Sequence, residues 1–153
     1  GMETAPSKRP LLVGELNPYG ADPKYALYPL PEHSAGGRLC AVVLGLGRAE
    51  YLRRFDRANL CVGKWTMAEA RGVAKSIRGD GGLFPGGERT VVLLGRKVTT
   101  AFDLGVYPPF SVVKDLASTY VLLPHPSGLC REWNTPGAVD KARSVLREAG
   151  VVL

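Results

Sequence analysis

At 153 residues, 45% of them apolar and with a formal net charge of +6, the chain is sized for one domain around one core. No apolar run is long enough to span a bilayer and no signal-peptide pattern opens the chain, which sets aside membrane and exported classes and favours the cytoplasm. The positive charge favours a polyanionic partner such as nucleic acid without identifying one.

Gly1 ahead of Met2 reads as a cloning remnant, and the polar segment Met2–Pro10 as a frayed, disordered tail, leaving 11–153 as the domain. Leu11–Val13 reads as a short strand covered on both faces, because its apolar run is continuous rather than alternating. Gly14 then turns the backbone, and Pro18 stops any immediate helix. The loop Asn17–His33 is long for a compact domain, which points to function, and its Tyr19, Tyr25 and Tyr28 argue against disorder. Ser34 caps a helix running to about Leu44 that buries Leu39, Val42 and Val43, and a second short helix carries Tyr51, Leu52 and Phe55. Arg57–Cys61 is expected as a short second strand, with Asn59 marking its end. Arg53, Arg54 and Arg57 form a basic cluster that suits either a solvated face or phosphate contact.

Thr66 and Glu69 form a T-x-x-E capping box, and Ala70, Val73, Ala74 and Ile77 follow at the spacing of one buried helix face. Gly79 ends that helix and Asp80–Glu88 is a glycine-rich loop. Thr90–Leu94 (TVVLL) is the clearest strand. A short helix near Lys97–Asp103 closes at Gly105, and Val106–Lys114, with Pro108 and Pro109, reads as loop. Thr119–Leu123 is the fourth strand, stopped by Pro124, and His125–Asn134 is loop. Thr135 caps the last helix with Pro136 at its first position. That helix buries Val139, Ala142, Leu146 and Ala149, and Gly150 ends it. Strand and helix thus alternate four times with no hairpin signal. The expected fold is a three-layer α/β/α sandwich around a four-stranded parallel sheet.

Cys40, Cys61 and Cys130 are odd in number, widely spaced and fit no metal-ligand pattern, so they read as buried reduced thiols. His33 and His125 are the only histidines, too few for a histidine-based metal site. Neither a metal nor a cofactor is expected, and a monomer is. Chemistry is better sought at the carboxyl ends of the parallel strands, where such sheets place their ligands. Gly14–Gly20 and His125–Arg131 both leave that edge, and Asn59 leaves it from the second strand. An imidazole, a carboxylate and amides that suit the edge of a nucleobase therefore gather at one crevice.

His125-Pro126-Ser127-Gly128-Leu129 resembles the H-P-S-x-L segment of uracil-DNA glycosylases. Ser127, Gly128, Leu129 and Arg131 match the S-G-L-x-R run of the mismatch-specific branch. Asn17-Pro18 resembles the N-P of the first motif in the mismatch-specific and single-strand-selective branches, and Asn59-Leu60-Cys61 resembles the N-x-C of the latter. The resemblance covers nearly the whole chain in order and spacing. It implies a monofunctional DNA glycosylase that removes uracil or another deaminated base. His125 would stabilise the charge on the departing base, Asn17 would position the water, and Asn59 with Gly14 would form the base pocket. Tyr28 would stack on the base, while Ser127, Gly128, Leu129 and Arg131 would meet DNA, Leu129 as a wedge in the vacated stack. One departure stands out. The family's first motif is commonly G-x-x-P, whereas Gly14-Glu15-Leu16-Asn17-Pro18 is one residue longer. Alignment on Pro18 gives the catalytic position to Asn17, and alignment on Gly14 gives Glu15 the neighbouring place, where its carboxylate can act as base. Other readings of the same residues are a hydrolase of a free nucleoside or nucleotide, and a catalytically silent nucleic-acid-binding module.

Overall fold

The computed structural model describes residues 9–17, 20–79, 89–115, 118–127 and 130–153. Residues 1–8 of the expected tail, the Asp80–Glu88 loop, Pro18, Tyr19, Gly128 and Leu129 lie outside them. Arg9 and Pro10, also assigned to the tail, are docked: the Pro10 carbonyl accepts from Asp56 N–H at 3.0 Å, and the Arg9 carbonyl from Arg89 Nε at 3.0 Å.

The chain forms an α/β protein with an open, mostly parallel sheet of five strands in the order β2-β1-β3-β5-β4. The strands are β1 (Leu11–Asn17), β2 (Asp56–Val62), β3 (Thr90–Leu94), β4 (Ser111–Asp115) and β5 (Ser118–Leu123). The expected count of four is corrected by β4, which runs antiparallel to β5 along one sheet edge, in a segment read as loop. The connecting pair Leu116-Ala117 carries none of the Asn-Gly or Asp-Gly chemistry that signals a hairpin, and the prolines ahead of β4 obscure it.

β1 outruns its apolar triplet because its ladder with β2 continues through Gly14↔Asn59, Leu16↔Cys61 and Asn17↔Val62. Gly14 therefore sits inside a strand rather than at a turn, and Asn59 lies mid-strand in β2 rather than at its end.

Successive residues of the central strands feed two cores. Leu11, Val13, Val91, Leu93, Tyr120 and Leu122 pack with α3 (Met67–Ile77) and α4 (Arg96–Phe102). Leu12, Val92, Leu94, Val121 and Leu123 pack with the segment 39–44, α2 (Arg48–Arg54) and α5 (Ala138–Glu148). This is the alternation of a strand buried on both faces. The helix from Ser34 begins as α1 (Ala35–Arg38) and continues as a wider π-helical turn over Leu39–Val43. That change of pitch leaves Val42 exposed instead of buried. The Thr66 hydroxyl caps α3 by accepting from Glu69 N–H at 3.3 Å. Asp103, at φ 54°, ends α4 in place of Gly105. α5 starts at Ala138 behind Gly137, at φ 79°, because Thr135–Gly137 forms a turn of its own, with Ala138 N–H bonded to the Thr135 carbonyl at 3.1 Å.

Candidate active site

β2 and β3 flank β1 on opposite sides, so the crossovers after β1 and β2 diverge and leave a crevice at the carboxyl ends of the strands. A cleft of about 280 Å³ opens there, and Glu15, Asn17, Tyr28, Asn59 and His125 all line it. Five residues from four separate stretches of sequence therefore meet in one place. Glu15 and Asn17 are i and i+2 on an extended strand and project to the same side, so the longer first motif does not separate them.

Asn17 is buried, and its side-chain carbonyl accepts from Asn59 Nδ2 at 2.7 Å. The second lone pair on Asn17 Oδ1 and the second N–H of Asn59 are left for other partners. Gly14 makes this arrangement possible, because a Cβ there would stand 2.3 Å from Asn59 Oδ1 and 3.0 Å from Leu27 Cδ2. The glycine serves a close approach rather than a turn.

His125 follows β5 and Pro124. Its Nδ1 accepts the backbone N–H of Ser127 at 3.1 Å, an arrangement that selects the tautomer with Nε2 as the donor. The His125 carbonyl accepts from Trp133 Nε1 at 2.7 Å, and the Pro126 carbonyl from Arg38 Nε at 2.9 Å. The loop is thus held from both sides. Below it lies Gly95, at φ 100°. A Cβ at this position would meet His125 Cβ at 3.3 Å and Glu15 Oε1 at 3.4 Å, so the carboxylate and the ring close over the same glycine.

The outer wall is the segment 25–36. Tyr25 and Tyr28 meet edge to face at 5.1 Å, and both line the cleft with Leu30. Tyr51, buried beneath, donates its hydroxyl to the Leu27 carbonyl at 2.7 Å, and Leu27 holds φ 50°. Gly36 and Gly37 let this segment lie directly on α1, since a Cβ on Gly36 would stand 2.2 Å from the Tyr28 carbonyl. Two consecutive glycines in a helix cost stability, and that was the available signal for a close approach there. No comparable signal marked Gly95, Arg38, Trp133 or Leu27.

Of the expected DNA-contacting residues, Ser127 orients His125, and Arg131 is exposed at the start of a 3-10 turn, away from the cleft lining. Gly128 and Leu129 lie outside the described residues. The arginine cluster is largely absorbed by internal partners. Arg53 and Arg54 pair with Glu50, and Arg57 Nη1 donates to the Ala26 carbonyl at 2.8 Å. Cys40 and Cys61 are buried, and burial raises both thiols above their ordinary range, while Cys130 is only half-buried. Among the described residues no group of three His, Cys, Asp or Glu side chains is placed to hold a metal, and no helix is long and apolar enough to cross a membrane.

No family model matches the chain, and no curated protein sequence matches it.

Proposed function

We propose that the protein is a DNA glycosylase of the uracil-DNA glycosylase type, with that family's three-layer arrangement, acting on uracil or another deaminated base. The observation that carries this reading is the convergence of Glu15, Asn17, Tyr28, Asn59 and His125 on one cleft, with His125 Nδ1 occupied by the Ser127 N–H. Tyr28 supplies a stacking face, and Asn59 offers an amide N–H and carbonyl to the base edge. As the C1′–N bond breaks, its electron pair leaves with the base, and His125 Nε2–H donates to the base oxygen where that charge collects. The oxygen of a water bonds to C1′. Asn17 Oδ1 orients that water through its remaining lone pair, and Glu15 assists by accepting its proton. Leu129, beyond the described residues, is proposed as the wedge for a paired substrate, and Arg131 as a phosphate contact. The reading includes a cytoplasmic monomer without a cofactor.

The test is a panel of oligonucleotides carrying uracil, hypoxanthine or xanthine, paired and unpaired, scored for abasic sites. Release of at least one of these bases is expected. Retained DNA binding without any release would replace this reading with a silent binding module, and release only from free nucleosides would replace it with a nucleoside hydrolase.

A further inference from the structure

Half-burying a guanidinium without an anion beside it is unfavourable, and proteins usually compensate with a carboxylate or a set of carbonyls. Most of the partly buried arginines here follow that rule. Arg78 pairs with Asp115 at 2.7 Å, Arg89 with Asp56, and Arg143 donates to the Val43 and Val42 carbonyls at 2.9 and 3.2 Å. Arg57, with no carboxylate paired to it among the described residues, holds the Ala26 carbonyl, lies 6.0 Å over the Tyr28 ring and keeps its Nε buried without a hydrogen bond. Arg38 is also an exception. It is half-buried, its Nε is used on the Pro126 carbonyl, and among the described residues no carboxylate pairs with it.

Its place in the fold gives that charge a use. Ala35 and Gly36 of α1 line the cleft, and so does His125, the neighbour of Pro126. Arg38 therefore bridges the two walls at the cleft, and its Nε bond fixes the plane of the fork while the Nη groups remain available for an oxygen anion. We infer that Arg38 is an anion subsite beside the cleft, binding a phosphate of the nucleotide whose base enters it. Only the identity of the base rests on the glycosylase reading; the phosphate contact stands on the charge and its position.

The test uses an undamaged single-stranded dT 11-mer, its affinity followed across a sodium chloride series, beside deoxyuridine and deoxyuridine 5′-monophosphate as free ligands. Arg38→Gln should weaken the 11-mer several-fold at low salt and flatten the plot of log affinity against log salt by about 0.7, the share of one phosphate on a single strand. Arg38→Lys should keep the slope, and Arg147→Gln, an exposed arginine in the last turn of α5, should leave it unchanged. If the phosphate belongs to a free nucleotide instead, the monophosphate will bind several-fold tighter than the nucleoside and lose that advantage in Arg38→Gln, with the 11-mer slope unmoved. Failure of both responses, or no measurable binding of either phosphate ligand by the parent, overturns the inference and leaves Arg38 as a pin for the His125 loop. Uracil release by the parent is scored separately. A parent that releases uracil with neither response dependent on Arg38 keeps the glycosylase reading and loses the subsite, and an Arg38-dependent response without release does the reverse.

Discussion

Gly14→Ala puts the proposed geometry of the site to a direct test. The new methyl would stand 2.3 Å from Asn59 Oδ1 and 3.0 Å from Leu27 Cδ2. The first separation is not survivable, so Asn59 must move, and moving it breaks the 2.7 Å bond to Asn17. Overpacking of this kind costs about 1–3 kcal/mol, and a lost hydrogen bond about 1 kcal/mol. The sum, about 2–4 kcal/mol, lowers the melting temperature by roughly 4–16 °C for a domain of this size. The decisive assay is a double-mutant cycle with Asn59→Ala, read by urea denaturation. Once Asn59 is truncated the obstruction is gone, and Leu27 needs to give only a few tenths of an ångström. Gly14→Ala should then cost at least about 1 kcal/mol less in the Asn59→Ala background than in the parent. Additivity within about 0.5 kcal/mol would refute the close-approach account of Gly14.

His125→Ala should slow base release about 100-fold or more in single-turnover assays while DNA affinity stays nearly constant, because the lost donor acts on charge that appears only in the transition state. If Glu15 takes the proton of the attacking water, the rate should fall at mildly acidic pH and Glu15→Gln should abolish that limb; a limb that survives in Glu15→Gln has another source. Burial raises the Tyr51 phenol above its ordinary value, with Arg57 opposing the shift and the Cys40 thiol adding to it. A raised value in the folded state means the stabilisation is complete below the unfolded tyrosine value, about 10, and is lost as pH climbs above it. Chemical denaturation at stepped alkaline pH should show Tyr51→Phe less stable than the parent at neutrality, through the lost bond to the Leu27 carbonyl, and with a shallower alkaline decline. An identical decline in both would exclude Tyr51 as a contributor.

The residues proposed for a direct chemical part were legible in the sequence because the proposed chemistry demands particular side chains. An Asn-Pro after the first apolar strand and a His-Pro-Ser after the last parallel one restrict the choices sharply. The frame around them was not legible. Gly14 and Asn59 are brought together by a ladder register that only tertiary pairing decides, and both were displaced by strands longer than their apolar cores. The β4–β5 hairpin escaped because register there comes from side-chain packing, Val113 and Tyr120 being paired and buried, rather than from turn chemistry.

Charge was the least legible property, and the reason is physical. An arginine's partner is set by what lies within the reach of a long side chain, which sequence neighbours do not report. Arg53, Arg54 and Arg57 are adjacent in sequence yet spend their donors on Glu50 and on backbone carbonyls. Arg38, with no basic neighbour to draw attention to it, is a half-buried cation beside the cleft, and its bond to the Pro126 carbonyl spans 88 positions of sequence. The two classes of residue should therefore fail differently. Losing a close-approach residue such as Gly14 should first lower stability, because the added methyl displaces Asn59 and breaks its bond to Asn17. Losing Arg38 should first change how salt governs binding, because among the described residues only its Nε has a hydrogen-bond partner.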